Sequence, residues 1–161
     1  MRLRSVALLA RLRHQQVSLP PLDPPPIIGR ATIIDGDTLE IRGRRIRLWG
    51  IDAPEARQTC ERAGQTYRCG TEAANQLDRW IDGRTVTCRA EGRADRYGRM
   101  VARCSVDGQE INGWLITQGL ALDYPRYSRR AYARQEADAR AGRRGVWAGE
   151  FQRPWEWRRE R

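Results

Sequence analysis

Five side chains carry the chemistry open to this chain. Asp37 stands in Asp35-Gly36-Asp37-Thr38. Arg47, Asp52 and Glu55 share the stretch Arg47-Leu48-Trp49-Gly50-Ile51-Asp52-Ala53-Pro54-Glu55, and Arg99 closes Asp95-Arg96-Tyr97-Gly98-Arg99. Asp37 and Asp52 fall at the ends of neighbouring strand-like runs, so both can face one cavity. Two such carboxylates are hard oxygen ligands for a cation. Glu55, three residues past Asp52, is close enough to orient a water or take its proton. Arg47 and Arg99 offer forked donors to phosphate oxygens as charge builds in a transition state. A phosphodiester repels an attacking hydroxide, and a bound cation with donors around it offsets that repulsion. Singly these signals are weak: Asp-Gly is a common hairpin turn, Asp52 before Ala53-Pro54 can simply turn the chain, and Arg99 alone can be any surface arginine. Their conjunction points to phosphodiester hydrolysis.

What the chain lacks narrows the choice. All 30 basic residues are arginine, with no lysine, and the only histidine is His14 in an irregular N-terminal stretch. Ser-His-Asp and Cys-His mechanisms therefore have no base within the body of the chain. Arginine stays protonated and cannot replace one, so proton transfer falls to Asp, Glu, Tyr or Cys. The net charge is +10 and the isoelectric point about 10.6. Residues 1–28 account for +3 of this and the remainder for +7. A basic surface attracts polyanions, nucleic acid foremost; the alternative is a solvated arginine surface with no such partner.

The four cysteines, Cys60, Cys69, Cys88 and Cys104, form no C-x-x-C pair, which argues against a zinc ribbon or a thioredoxin-type motif. Their even number in a small basic chain points to two disulfides and an oxidising compartment. Cys60–Cys69 would close a short loop beside the carboxylates, and Cys88–Cys104 would join two strands expected to be hairpin neighbours. A periplasmic or secreted location follows from that reading. A cytoplasmic protein with four reduced thiols is the alternative, because Val6-Ala7-Leu8-Leu9-Ala10 is shorter than a signal-peptide core. No stretch is long enough to span a bilayer, and a monomer is expected.

The 161 residues fit one domain. Residues 1–28, with Pro20-Pro21 and Pro24-Pro25-Pro26, read as a weakly ordered leader or linker. Residues 29–148 form the expected domain and 149–161 an aromatic, arginine-rich tail. Alternation predicts strands over 31–34, 38–42 and 45–51, then 86–90 and 100–106. Residues 52–69 read as irregular. Helices are expected over 71–81, over 110–118 with Gly119 ending it, and over 128–143. This order, α+β but mainly β, is that of a five-stranded oligonucleotide-binding (OB) barrel with about three helices.

These runs resemble the staphylococcal nuclease (thermonuclease) family. The resemblance extends to Asn112-x-x-Leu115-x-x-x-Gly119-Leu120-Ala121 and to Gly145-Val146-Trp147, covering about residues 29–148. It implies an OB-fold enzyme that hydrolyses DNA and RNA with calcium. It further implies that Asp37, Asp52 and the main-chain carbonyl of Ala53 hold Ca2+, that Glu55 is the general base, and that Arg47 and Arg99 bind the phosphate. Tyr97 with Arg96 would hold substrate, joined by Tyr124 or Tyr127. Ala53 stands where family members often carry Thr, and a cysteine-bearing segment replaces the usual lysine-rich loop. That segment and the tail Pro154-Trp155-Glu156-Trp157-Arg158-Arg159 resemble a bacterial subgroup, some of whose members are called succinoglycan biosynthesis proteins. Trp155 and Trp157 can stack on bases or simply cover the barrel.

The expected function is thus calcium-dependent endonucleolytic cleavage of DNA and RNA with little sequence specificity. Two rivals stand beside it: a catalytically silent OB-fold module that binds nucleic acid or protein, and an accessory protein of exopolysaccharide biosynthesis. Retention of all five site residues favours the enzyme.

Overall fold

A computed structural model describes residues 18–19 and 24–161. Most of the expected leader, His14 included, lies outside the described residues. The first strand, β1 (Ile27–Gly29), precedes the expected start at Gly29. It is followed by β2 (Ala31–Asp35), β3 (Thr38–Ile41) and β4 (Arg44–Leu48), an antiparallel meander. Leu39, Ile41, Ile46 and Leu48 point inward and are fully buried, as their alternation requires.

The expected third strand does not run through to Ile51. It breaks at Trp49-Gly50, where Gly50 adopts a left-handed φ of 74°, and resumes as β5 (Ile51–Asp52). Residues 52–69 are not wholly irregular either. They contain a hairpin, β6 (Cys60–Arg62) with β7 (Gln65–Tyr67), and the Cys60–Cys69 disulfide ties its first strand to the start of the helix that follows. Helix α1 (Cys69–Ile81) then buries Ala73, Leu77 and Ile81 against the meander.

Strands β8 (Val86–Ala90) and β9 (Met100–Val106) pair antiparallel, with Cys88 opposite Cys104; the two form the second disulfide. The short β10 (Gln109–Glu110) leads into α2 (Ile111–Thr117), whose N-terminus is capped by the Glu110 side chain accepting from the Gly113 N–H. Strand β11 (Leu122–Asp123), α3 (Pro125–Ser128) and α4 (Ala133–Ala141) follow. The helix expected over 128–143 is therefore broken: Arg129 and Arg130 take φ of 52° and 67°, values no helix can contain. A 3-10 turn (Gly145–Ala148) and α5 (Pro154–Arg159) complete the chain.

The main sheet runs β1-β8-β9-β4-β3-β2, with β10 on β9. Its five longer strands are those expected from alternation, in a mainly β, OB-like α+β architecture, with five α-helices among the described residues instead of about three. The pairing that matters most for function is β4 with β9, which is parallel and sets Ile46 opposite Met100. Asn112, fully buried, secures this junction. Its side chain accepts from Cys104 N–H at 3.1 Å and donates to the carbonyls of Trp49 (2.9 Å) and Ala102 (3.2 Å). No helix among the described residues is long and apolar enough to cross a membrane.

Candidate active site

The turn after β2 and the short strand β5 meet edge to edge. Asp37 Oδ2 accepts the Ala53 N–H at 2.9 Å, and Leu48 N–H donates to the Asp37 carbonyl at 2.8 Å. These bonds carry Asp37 to Asp52. On β4, Arg47 alternates with buried Ile46 and Leu48, so its side chain leaves the core on the site's side. Its Nη2 lies 3.5 Å from Asp37 Oδ2 and 3.5 Å from Asp52 Oδ1. One guanidinium thus spans both aspartates.

Glu55 lies on the loop after β5. Its backbone is fixed by the buried Gln58, whose Oε1 accepts the Glu55 N–H at 3.2 Å. From the other side, α1 presses Gly70 against it. A Cβ there would fall on the carbonyl oxygen of Glu55, so only glycine allows the approach.

The acidic groups feel one another. Burial, the largest cause, pushes the Asp52 carboxyl up to about 6; the charge of Asp37 adds to this while Arg158 and Arg47 oppose it. Asp35 is raised as well, by burial and then by Asp37 and Glu55. Among the described residues no group of three or more His, Cys, Asp or Glu side chains is gathered at metal-binding distance. A cation here would draw on two carboxylates, main-chain carbonyl oxygen and water. That donor set suits a hard ion such as calcium, which accepts carbonyl and water ligands in a flexible shell. The site also already holds a positive charge, so the residues fit a cation.

That charge belongs to Arg158 in the last turn of α5. Its Nη1 donates to Asp52 Oδ1 at 3.0 Å and Glu55 Oε1 at 2.6 Å, and its Nη2 to Asp52 Oδ2 at 2.7 Å. The hydrogen bonds to Asp52 are the main reason the guanidinium holds its proton even more firmly than usual. Arg158 is not among the site residues expected from the sequence, where the tail's tryptophans alone suggest a role. The available signal is two consecutive arginines, Arg158 and Arg159, in a tail that can cover the barrel.

Arg99 forms a second wall. Because Met100 pairs with Ile46, Arg99 comes level with Arg45, and the two line an open cavity of about 390 Å³ with Tyr97. No ion pair joins Arg99 to Asp37, Asp52 or Glu55 among the described residues. Its Nε instead donates to Asp95 Oδ2 at 2.7 Å. Although burial raises it, the Asp95 carboxyl is held below the usual range by the Arg99 backbone and side chain. Arg96 bonds the Tyr97 hydroxyl at 2.7 Å, and Tyr97 is 67% exposed.

Strand β11 supplies the third wall. Leu122 pairs with Asp52, and the Tyr124 N–H donates to the Gly50 carbonyl at 2.9 Å. Tyr124 meets Tyr127 edge-on, with ring centroids 4.9 Å apart, and stacks on Trp155 at 4.9 Å and 3°. Asp37, Arg47, Asp52, Ala53 and Glu55 therefore form one cluster, with Arg96, Tyr97 and Arg99 on one flank and Tyr124 and Tyr127 on another.

Residues 45–149 match the family model described as staphylococcal nuclease homologue. The chain is 44% identical over 125 residues to the succinoglycan biosynthesis protein ExoI of Rhizobium meliloti, covering 76% of this chain and 65% of that protein. It is 35% identical over 128 residues to the probable staphylococcal-like nuclease CAN1 of Oryza sativa, covering 78% of this chain and 36% of that protein. An uncharacterized endonuclease of Escherichia coli is 32% identical over 133 residues, covering 78% of this chain and 80% of that protein. The chain thus spans two thirds or less of the length of the first two relatives.

Proposed function

The chain belongs to the staphylococcal nuclease family, and from that premise we propose that it is a calcium-dependent endonuclease that hydrolyses DNA and RNA with little sequence preference. The observation that carries this reading is the cluster itself. Two aspartates share Arg47 at 3.5 Å, and Glu55 is tied to Asp52 through a common guanidinium. Asp37, Asp52 and the carbonyl of Ala53 would hold the cation. When bound, it would offset the phosphate charge and make water more acidic.

The chain's own residues do the rest. Glu55 takes the proton of the attacking water. Arg47 and the Nη groups of Arg99 donate to the phosphate oxygens as negative charge grows there. Tyr97 and Tyr127 offer exposed ring faces to bases, Tyr124 lies beside Tyr127, and Arg96 adds charge on the approach, which suits single-stranded or locally opened substrate. The +10 surface draws the polyanion in. Two disulfides are compatible with an extracellular or periplasmic location, where we place its work, as a monomer.

Digestion of plasmid DNA and of RNA, with calcium and with chelator, tests the reading. Cleavage of both in calcium and of neither in chelator is expected. Binding without cleavage under any divalent ion would instead favour a silent OB-fold module. The similarity to ExoI favours a second reading, an accessory role in exopolysaccharide biosynthesis, which would be supported by loss of the polymer on deletion and its return with a cleavage-dead variant.

A further inference from the structure

Helix α5 is attached in an unusual way. The chain leading to it is anchored through backbone: Glu61 and Glu150 exchange N–H···O bonds at 2.8 and 3.1 Å, and Gln58 Nε2 donates to the Gln152 carbonyl at 2.6 Å. From Arg153 onward the backbone bonds only to itself among the described residues. What holds α5 down is side chains. Pro154 is buried, Trp155 lies flat on Tyr124, and Arg158 forks into Asp52 and Glu55.

Those last two contacts fall on groups the proposed reaction needs. Arg158 engages both oxygens of Asp52, whose side chain is wholly buried, and one oxygen of Glu55. A divalent cation held by Asp52 would sit within a few ångströms of that guanidinium. Like charges at such a distance, on either side of a wholly buried carboxylate, repel. The Glu55 oxygen that Arg158 engages at 2.6 Å is also occupied as long as the helix is docked. Meanwhile Trp155 covers the face of Tyr124.

We propose that α5 is a displaceable cap in which Arg158 occupies the acidic site in place of the divalent cation, so that cation binding and cap docking exclude one another. The Glu150–Gln152 anchor stays put, and the helix beyond Arg153 swings away, uncovering Tyr124. The cap is thus an internal competitor that keeps the buried carboxylates neutralised until a cation arrives. The proposal rests on the reading that Asp37 and Asp52 bind a cation.

Calcium titration by calorimetry, on the parent and on Arg158→Gln, tests it together with NMR of the Trp155 and Trp157 indole N–H groups. If the cap is docked roughly nine-tenths of the time or more, Arg158→Gln binds calcium about tenfold more tightly or better. In the parent, calcium should move both indole resonances to the positions they hold in cation-free Arg158→Gln. Calcium binding that leaves the parent's indoles unmoved, or that is no tighter in a folded Arg158→Gln, overturns the cap while the cation site stands. If neither protein binds calcium, the cation reading falls and the cap with it. Should Arg158→Gln fail to fold, leaving Asp52 buried without its partner, the parent's indole titration decides alone.

Discussion

Replacing Cys60 and Cys69 together by serine should cost both stability and turnover, whereas replacing Cys88 and Cys104 should cost stability alone. The first bridge closes a separation of 9 residues and the second one of 16. Loop-closure entropy then assigns them about 2.6 and about 3.1 kcal/mol. For a chain of this size the first loss lowers Tm by roughly 5–10 °C, and the second by slightly more. Either variant remains folded at 25 °C if the parent has ordinary stability. Only the first bridge touches the site. Cys69 Sγ lies 3.6 Å from the carbonyl of Gln58, the residue that holds the Glu55 backbone and anchors Gln152. Releasing that loop should misplace Glu55 by a fraction of an ångström to an ångström and lower turnover by about tenfold to 10²-fold. Circular dichroism melts give the Tm values, and cleavage of a fluorescent oligonucleotide at 25 °C gives turnover. Equal turnover in the two folded double variants would refute the positioning argument. An unchanged Tm in both would refute the entropic one.

Three further outcomes are expected. Glu55→Gln should bind a fluorescent oligonucleotide like the parent and lose about 10²–10⁴-fold in turnover, because an amide cannot accept the proton; a filter-binding and cleavage pair of assays checks both halves. Arg99→Lys should lose about 10²-fold or more although charge is kept, since an ammonium lacks the planar fork; steady-state kinetics with unchanged melting would attribute the loss to the site. Gly70→Ala should destabilise by about 1–3 kcal/mol and impair cleavage, because its Cβ meets the backbone of Glu55 and Ala56, which no rotamer change can clear; denaturant titration measures the first effect.

The parts of the fold legible in the sequence are those whose forces act within a few residues. Strands β2, β3, β4, β8 and β9 announce themselves because alternate residues must be apolar to reach one core. Helix α1 does so because Ala73, Leu77 and Ile81 recur at its pitch. The candidate site residues could be picked out because they stand on or close beside such elements and their spacing matches a known family. The unread parts depend on contacts distant in sequence. The β6–β7 hairpin carries Glu61, Arg62, Gln65 and Thr66 and has no apolar alternation. It exists through a disulfide and through the Glu61–Glu150 bonds. Strand β1 is three residues long and is defined by pairing with β8. Nothing in Arg129-Arg130 marks a break. The two left-handed residues turn the chain so that α4 can lie against α2 and bury Ala139, the one buried residue of that helix. Arg158 lies 106 residues from Asp52 and 103 from Glu55, and no local pattern links them. The chain alone could supply its charge and the expectation of a folded-back tail. Only closure of the tertiary structure brings that charge onto two carboxylates, because a buried aspartate must find a positive partner wherever the fold happens to provide one.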